Sequence, residues 1–143
     1  MASIRSMTVN DIPASQDLLS QLGYRLESEE LRRRYDAVAG ATGHALLVAE
    51  QDGRIVALCH VYARSALDKP PEAVVQALVV DHASRGSGIG RDMMTMAETW
   101  AKDHGLPSVA LYSNAVRSDA HAFYETIGYR PIATSQLFRK SLG

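Results

Sequence analysis

The chain reads Val79-Val80-Asp81-His82-Ala83-Ser84-Arg85-Gly86-Ser87-Gly88-Ile89-Gly90-Arg91, where a β-branched run leads through a glycine-rich turn into an amphipathic helix. Glycine at alternate positions removes the Cβ atoms that would keep a ligand from the backbone, and it permits the positive φ angles at which successive N–H groups point inward. The helix that follows adds its unpaired N-terminal amides and the positive end of its dipole. This segment therefore predicts a binding site for phosphate.

The spacing of this glycine turn, residues 85–91, argues against two common nucleotide motifs. The dinucleotide-binding pattern requires a glycine two residues after Ile89, where the chain has Arg91. A Walker loop requires Gly-Lys-Ser/Thr, and the turn contains no lysine. The turn also follows several predicted strands instead of the first one, which is unlike a Rossmann unit. The glycine turn alone thus predicts phosphate without naming the ligand.

Length, composition and charge limit the classes of protein that fit. With 143 residues, 46% of them hydrophobic, the chain has the size of a single domain and implies no second one. Its net charge of −1 argues against a nucleic-acid or membrane-surface protein, which relies on a strong excess of basic residues. Cys59 is the only cysteine, so an internal disulfide is excluded, and its apolar neighbours predict a buried structural thiol. The sequence shows neither a signal-peptide pattern nor a membrane-span pattern, which predicts a cytoplasmic protein.

Local patterns predict one mixed α/β sheet with helices between its strands. Asp52-Gly53 lies between two apolar, β-prone runs and predicts a hairpin. The predicted strands cover residues 4–9, 45–50, 54–62, 73–80 and 109–112, followed by a terminal hairpin over 129–133 and 136–139. The predicted helices cover residues 10–23, 28–40, 88–104 and 119–127.

Two motifs in the chain resemble those of one enzyme family. The glycine turn fits the pattern Arg-x-x-Gly-x-Gly, which resembles the acyl-CoA signature of the GNAT N-acetyltransferase superfamily. Downstream, Ala120-His121-Ala122-Phe123-Tyr124-Glu125-Thr126-Ile127-Gly128-Tyr129 resembles that family's Ala-His-x-Phe-Tyr-x-x-x-Gly-Tyr/Phe segment. The resemblance covers the whole chain and implies a single N-acetyltransferase domain over residues 1–143. It also implies an α/β fold, a GNAT-type splayed mixed sheet of about six to seven strands flanked by about four helices.

The resemblance implies that acetyl-CoA lies where the strands over 73–80 and 109–112 part to form a V. The pantetheine arm would pair with the backbone of the first strand as an extra strand does, and the pyrophosphate would rest on N–H groups of the glycine turn. For Arg85 and Arg91 a solvated position at the helix start stays open as the alternative, and for Asn114 an ordinary turn at a strand end. The implied coenzyme-binding residues are Leu78, Val79, Val80, Arg85, Gly86, Ser87, Gly88, Ile89, Gly90, Arg91, Asn114, His121 and Tyr124. No metal is implied.

Acetyl transfer to an amine needs a polarised thioester carbonyl, a proton for the departing thiolate and a neutral amine. The resemblance assigns the proton to Tyr124, whose phenol is acidic enough to protonate a thiolate. It assigns the polarised carbonyl to a backbone N–H near Val79, where the family's strand carries a bulge. From the residues alone, an amphipathic core tyrosine beside Phe123 is the favoured interpretation of Tyr124.

The sequence does not identify the base that would accept the amine proton. Many relatives carry a glutamate on the strand before the glycine turn, where this chain has Gln76, and an amide cannot accept this proton. His60 and His121 are side chains suited to the task. For His60 a hydrogen-bonded core position is favoured over a base, and His121 matches a family position that more often packs and contacts CoA. Direct attack by a partly deprotonated substrate, with the proton released through water, is the remaining alternative.

These expectations lead to two hypotheses about function. The first is an acetyl-CoA-dependent N-acetyltransferase, which acetylates a primary amine of a small molecule or peptide by direct attack in a ternary complex. The second is a GNAT-like domain that binds acyl-CoA as a sensor or scaffold with little or no turnover, as the missing glutamate allows. Substrate selection is expected around residues 24–26 and 64–71, without naming the acceptor or the acyl length. A homodimer through the strand over 136–139 follows only by analogy.

Overall fold

A computed structural model of the chain describes residues 2–113 and 118–143. The chain falls into two compact units, Met1–Leu111 and Tyr112–Gly143. The first unit contains a β-sheet, three α-helices and the glycine turn, and the second contains one α-helix and the C-terminal segment.

The first unit is built on one five-stranded sheet whose strands are neighbours in their chain order. The strands are β1 (Ser3–Ser6), β2 (His44–Gln51), β3 (Arg54–Arg64), β4 (Glu72–Val80) and β5 (Val109–Leu111), and the helices are α1 (Ile12–Gln21), α2 (Ser28–Ala39) and α3 (Ile89–Asp103). Only β4 and β5 run parallel, and α3 supplies the crossover that a parallel pair requires. Asp52 and Gly53 both have positive φ (52° and 75°) and form the hairpin turn that their sequence predicts.

Helices cover both faces of this sheet. Leu18 of α1 and Leu31 of α2 belong to one buried cluster with Leu58 of β3, so α1 and α2 lie on one face. Side chains along a strand alternate between faces, and Ala57 and Cys59 on the other face are also buried. The helix α3 packs against β3 and β4 and covers that second face. Apolar burial on both faces fixes the position of β4, which carries the candidate site.

The second unit contains α4 (Ser118–Thr126) and a C-terminal segment. The predicted terminal hairpin over 129–133 and 136–139 is wrong: residues 129–143 contain no strand, so the described residues form five strands and not six to seven. A two-stranded hairpin has little stability of its own, and Pro131 supplies no N–H to a ladder. The large apolar side chains of this segment are between 79% and 92% exposed: Ile132, Leu137, Phe138 and Leu142.

The other predicted elements are confirmed. Four helices and five strands lie where the sequence predicts them, with ends that differ by a few residues. Cys59 is fully buried, and burial raises the pKa of its thiol to about 12, so it is the structural thiol that its apolar neighbours indicate. Within the described residues, no helix has the length and apolar character needed to cross a bilayer.

Candidate functional site

At one point in their pairing, β4 carries one residue more than β3. The pairs His60–Ala77 and Val61–Val75 leave Gln76 without a partner on β3. This extra residue forms a β-bulge, which bends a strand and increases its twist. The bulge that was expected near the end of the strand thus lies earlier, at Gln76.

The backbone of β4 alternates between its inner edge, which pairs with β3, and its outer edge, which faces β5. Ala73 donates its N–H across the outer edge (2.9 Å), whereas Asp81, just after the strand, donates its N–H across the inner edge (2.8 Å). Backbone groups of successive residues in a strand point to opposite edges. Counting back from Asp81, the N–H and C=O of Leu78 and Val80 face the outer edge, and those of Val79 face β3.

No described strand pairs with the outer edge of β4 along residues 76–80, which we call the open half. The strand β5 ends at Leu111, opposite Val75, and among the described residues no other strand pairs with β4 on that side. Val79 is only 2% exposed and anchors the open half in the core under α1 and α2. The outward groups of Leu78 and Val80 therefore form a rigid strand edge, to which an extended chain can add as another strand.

A side chain from α1 holds the segment between β4 and the glycine turn. Gln21 donates from Nε2 to Asp81 Oδ1 (2.9 Å), and its Oε1 accepts a hydrogen bond from the N–H of His82 (2.9 Å). Arg54 lies 3.8 Å from the second carboxylate oxygen of Asp81. The sequence analysis missed Gln21, because a polar residue at a helix end carries no local sign of a partner 60 residues away.

The glycine turn presents a row of unpaired backbone N–H groups. Gly86 and Gly88 have positive φ (82° and 88°), and α3 begins directly after Gly88. The N–H of Asp92 bonds to Gly88 O (3.0 Å), but within the described part of the chain no N–H from 86 to 91 has a recorded acceptor. A Cβ at either positive-φ glycine would meet no atom within 4 Å, so the backbone is accessible there. Such a row of amides at a helix start is suited to an anion.

The side chains of the glycine turn have different surroundings. Arg85 donates from Nε to Val80 O (3.2 Å), the last carbonyl of the open half. Arg91 is exposed, and Ser87 donates its hydroxyl to a carbonyl of the preceding helical turn. Ile89 is 4% exposed and belongs to the core, so only its backbone is available to a ligand.

In the second unit, α4 carries two of the predicted site residues. His121 and Tyr124 are three residues apart and partly buried, so they lie on the same side of the helix. The Tyr124 ring makes edge contacts with Phe123 (5.1 Å between centroids) and Tyr129 (6.1 Å). Asn114 lies outside the described residues.

The only carboxylate on β4 is already engaged. Glu72 pairs with Arg64 (2.8 Å) and accepts a hydrogen bond from the Ser108 hydroxyl (2.9 Å). Gln76 is exposed and carries an amide. The described residues contain no group of three side chains able to hold a metal ion. The strand β4 therefore supplies no unengaged carboxylate that could act as a base.

His60 forms a hydrogen bond, as the sequence favours, but its partner is another imidazole. His60 Nε2 lies 2.9 Å from His44 Nδ1. Burial lowers the pKa of His60 to about 4, with a smaller contribution from His44. The sequence analysis missed His44, because only the pairing of β2 with β3 brings these rings together.

Two surface cavities, of about 460 and 410 Å³, lie elsewhere on the first unit. The larger is lined by residues of α2 and the start of α1, and the smaller by residues around Asp11, Glu50 and Asp81. Neither includes the open half or the glycine turn. The candidate site is thus a backbone edge followed by a turn.

Comparisons with known proteins agree with this arrangement. The model of the acetyltransferase (GNAT) family matches residues 13–129. The uncharacterized N-acetyltransferase YhdJ of Bacillus subtilis is 31% identical over 127 residues, which cover 88% of each protein. The aminoglycoside N(6′)-acetyltransferase type 1 of Stenotrophomonas maltophilia is 26% identical, over 98% of this chain and 94% of that protein. The solved structure of an aminoglycoside N-acetyltransferase in complex with CoA has a TM-score of 0.89 at 16% identity and covers 98% of this chain and 95% of that one.

These comparisons extend beyond the glycine turn. The family match includes both the turn and the segment from Ala120 to Tyr129, and it covers most of the chain. At 16% identity the solved structure supports the fold alone, whereas the family match and the 31% relative rest on sequence. The chain therefore belongs to the acetyltransferase (GNAT) family.

Proposed function

We propose that this protein transfers the acetyl group of acetyl-CoA to a primary amine of a small molecule or peptide, by direct attack in a ternary complex. The observation that carries the proposal is the open half of β4 leading directly into the glycine turn. An extended pantetheine arm fits an unpaired strand edge, and a pyrophosphate fits a row of unpaired N–H groups at a helix start. Along the chain the strand edge comes first and the turn second, which matches the order of the pantetheine arm and the pyrophosphate along the coenzyme.

The coenzyme contacts in this proposal come mainly from the backbone. Leu78 binds the pantetheine arm through its outward C=O and Val80 through its outward N–H, while Val79 holds the strand in place. The N–H groups of residues 86–91 bind the pyrophosphate, and the side chains of Arg85 and Arg91 add positive charge beside it. From the family resemblance, Asn114 and His121 supply further contacts.

Two groups act on the reacting thioester. Acetyl-CoA supplies an activated acetyl group, and the protein polarises its carbonyl with a backbone N–H beside Val79. We assign this role to Leu78, whose N–H faces the outer edge shortly after the bulge; such a donor contributes a factor of about 10² to 10³ in turnover. Tyr124 protonates the departing sulfur as a general acid.

The test of this function measures coenzyme binding and thiol release separately. Calorimetry reports the affinity for acetyl-CoA, and a thiol reagent reports CoA release with a panel of aminoglycosides, polyamines and peptides. We expect binding, and release above the blank with at least one amine. Binding without release across the panel would instead support the alternative, an acyl-CoA sensor or scaffold, which the engaged Glu72 and the amide at Gln76 favour.

Replacing Tyr124 by Phe tests the general acid. We expect Tyr124→Phe to lower kcat by about 10- to 100-fold and to leave the Kd for acetyl-CoA nearly unchanged, because only the proton donor is removed. Tyr129→Phe, which removes a hydroxyl from the neighbouring ring, is the matched control and should keep its kcat. An unchanged kcat in Tyr124→Phe removes Tyr124 from the mechanism.

We also propose that both units form one acetyltransferase domain over residues 1–143, in a cytoplasmic protein without nucleic-acid or membrane partners. The family match supports the single domain, since it crosses the boundary between the units.

We propose that a second copy of the chain covers the C-terminal segment in a homodimer. Its four exposed apolar side chains favour association, because a second copy would remove them from water. Light scattering during size exclusion measures the mass, and Leu137→Ser with Phe138→Ser should convert a dimer to a monomer. A monomer in the unaltered protein contradicts this part of the proposal.

A further inference from the structure

Two histidines and a tyrosine form a compact group on neighbouring strands. His44 on β2 and His60 on β3 are joined by the 2.9 Å contact between Nδ1 and Nε2, and their ring centroids lie 5.2 Å apart. Tyr62 stacks on His44 at 5.0 Å with an interplanar angle of 11°. Stacking and the nitrogen contact together fix the orientation of both imidazoles, so the pair is preorganised.

The pair lies beside the open half of β4. His60 is paired with Ala77, which directly follows the bulge residue Gln76. His60 is also two residues from Leu58 on β3, so its side chain stands on the sheet face that α1 and α2 cover elsewhere. The residue after Ala77 is Leu78, whose N–H is the proposed donor to the thioester carbonyl. A strand pairing therefore places an imidazole next to the part of β4 where the amine has to attack.

The contact between the rings is suited to moving a proton. Each neutral imidazole has one N–H and one bare nitrogen, so a single proton lies between His44 Nδ1 and His60 Nε2. A backbone carbonyl in the place of His44 would accept the hydrogen bond but could not pass a proton onward. Here either ring can donate to the other, and each keeps a second nitrogen for another partner.

The surroundings keep His60 neutral. Burial and His44 lower the pKa of His60 to about 4, and among the described residues no charged side chain of α1 or α2 adds to this shift. The ionisable side chains recorded against His60 are His44 from β2 and Tyr62 from β3, and its β4 partner Ala77 has none. At neutral pH, His60 thus accepts hydrogen bonds and does not repel a cationic amine.

We propose that the His44–His60 pair carries the proton of the acceptor amine away from the open half of β4, in place of the glutamate that Gln76 replaces. This inference rests on the proposed acetyltransferase function and deepens it. One N–H bond of the bound ammonium group breaks, and its proton goes to His60 Nδ1. The neutral nitrogen then bonds to the acetyl carbon, and the proton it loses on attack replaces the one that Tyr124 gives to the departing sulfur. The proton on His60 Nε2 passes to His44 Nδ1, and His44 Nε2 releases its proton to water. Both rings end neutral in the opposite tautomer, and exchange with water restores them.

The experiment compares His60→Gln, His44→Gln and the double variant in thiol release with an alkylamine acceptor. At about pH 7 we expect kcat to fall about 100-fold in His60→Gln, within the range for acid–base catalysis, with the Kd for acetyl-CoA unchanged. At about pH 9.5 the deficit should shrink to a few-fold, because more of the amine is then neutral without help. The double variant should be no slower than the slower single one, because the two rings act as one path.

A purely structural role gives different results. His104→Asn, directly after α3, is the matched control, since it removes a histidine whose ring bonds to the Trp100 carbonyl one turn earlier, and it should retain full activity. A deficit that stays the same at both pH values, or wild-type kcat in His60→Gln at about pH 7, overturns the inference. If His60→Gln does not fold, His44→Gln at the two pH values decides it. If the unaltered protein binds acetyl-CoA but acetylates no amine, the function itself fails, and the inference with it.

Discussion

The two halves of β4 have nearly the same kind of sequence but different surroundings. Residues 72–75 pair with β3 on one side, and three of them also pair with β5 on the other, whereas residues 77–80 pair only with β3 and Gln76 pairs with neither strand. Both halves are rich in valine and alanine, so β-propensity does not separate them. The difference comes from the short β5 and from one extra residue, Gln76. An extended ligand that adds to β4 would therefore bind its backbone groups where β5 does not pair with them.

Proline substitutions at neighbouring positions of β4 should give the largest effects, because they remove backbone N–H groups on opposite edges of the strand. Leu78→Pro removes an N–H that faces the open edge, so the ladder with β3 stays intact, and we expect kcat to fall by about 10² to 10³. Val79→Pro removes an N–H that bonds to β3, so we expect it to lower the thermal midpoint sharply instead. Thermal melts and thiol-release kinetics separate the two effects.

Leu78→Ala is the control for the proline variant, because it keeps the backbone N–H and shortens the side chain. It should retain most of the kcat. Equal loss of activity in Leu78→Ala and Leu78→Pro would show that the side chain, and not the amide, matters at this position.

A bulky residue at Gly88 tests the continuation of the open half into the glycine turn. Gly88→Leu places a side chain where the pyrophosphate is expected, and we expect the Kd for acetyl-CoA to rise at least about 100-fold. Gly53→Leu is a matched control: its φ is +75° against +88° at Gly88, and neither Cβ would meet an atom within 4 Å. Both variants carry similar backbone strain, so only the loss of calorimetric binding should distinguish them. Tight binding by a folded Gly88→Leu protein would remove the pyrophosphate from this turn.

The smallest expected effect is on the pH dependence of folding stability, through His60, which pairs with Ala77 in the open half. The pKa of His60 is about 4 in the folded chain and near the ordinary 6.5 when unfolded, so between these values the unfolded state binds more protons. Stability contributed by the neutral ring is therefore present above about pH 6.5 and is lost as the pH falls toward about 4.

The His60→Gln variant lacks this titrating group. All other titrating groups are shared with the unaltered protein, so their contributions to the change of stability with pH cancel when the two proteins are compared. Urea midpoints at about pH 7.5 and about pH 5 should fall less in His60→Gln than in the unaltered protein. Equal decreases would mean that His60 is as accessible to protons in the folded state as in the unfolded one.

The sequence predicts the elements of this fold better than their pairing. The positive φ values at Gly86 and Gly88 could be predicted because glycine alone adopts them freely, and the helices because their apolar spacing is local. The position of the bulge and the end of β5 depend on contacts between distant strands. Local sequence patterns therefore could not predict either of them. They also could not predict that the terminal hairpin is absent, because a two-stranded hairpin needs a partner to be stable.

The candidate site divides in the same way. The glycine turn is a local motif and could be identified from its residues, as could the segment that carries Tyr124. His44 and Gln21 belong to the site's surroundings only through pairing and packing, and neither has a distinctive neighbour in sequence. The role of Tyr124 stays a prediction, since chemistry and packing favour the same residue type there.

The hydrogen bonds of Gln21 bear on how the binding of one ligand affects the binding of another. One amide side chain joins the last residue of α1 to Asp81 and His82, so the end of α1 and the segment that leads into the glycine turn are restrained together. Directly after α1, residues 24–26 form the segment where acceptor selection is expected. A ligand that orders the turn also reduces the freedom of that segment, and the second ligand then loses less entropy on binding. Such coupling is reciprocal, so each ligand raises the affinity for the other by the same factor.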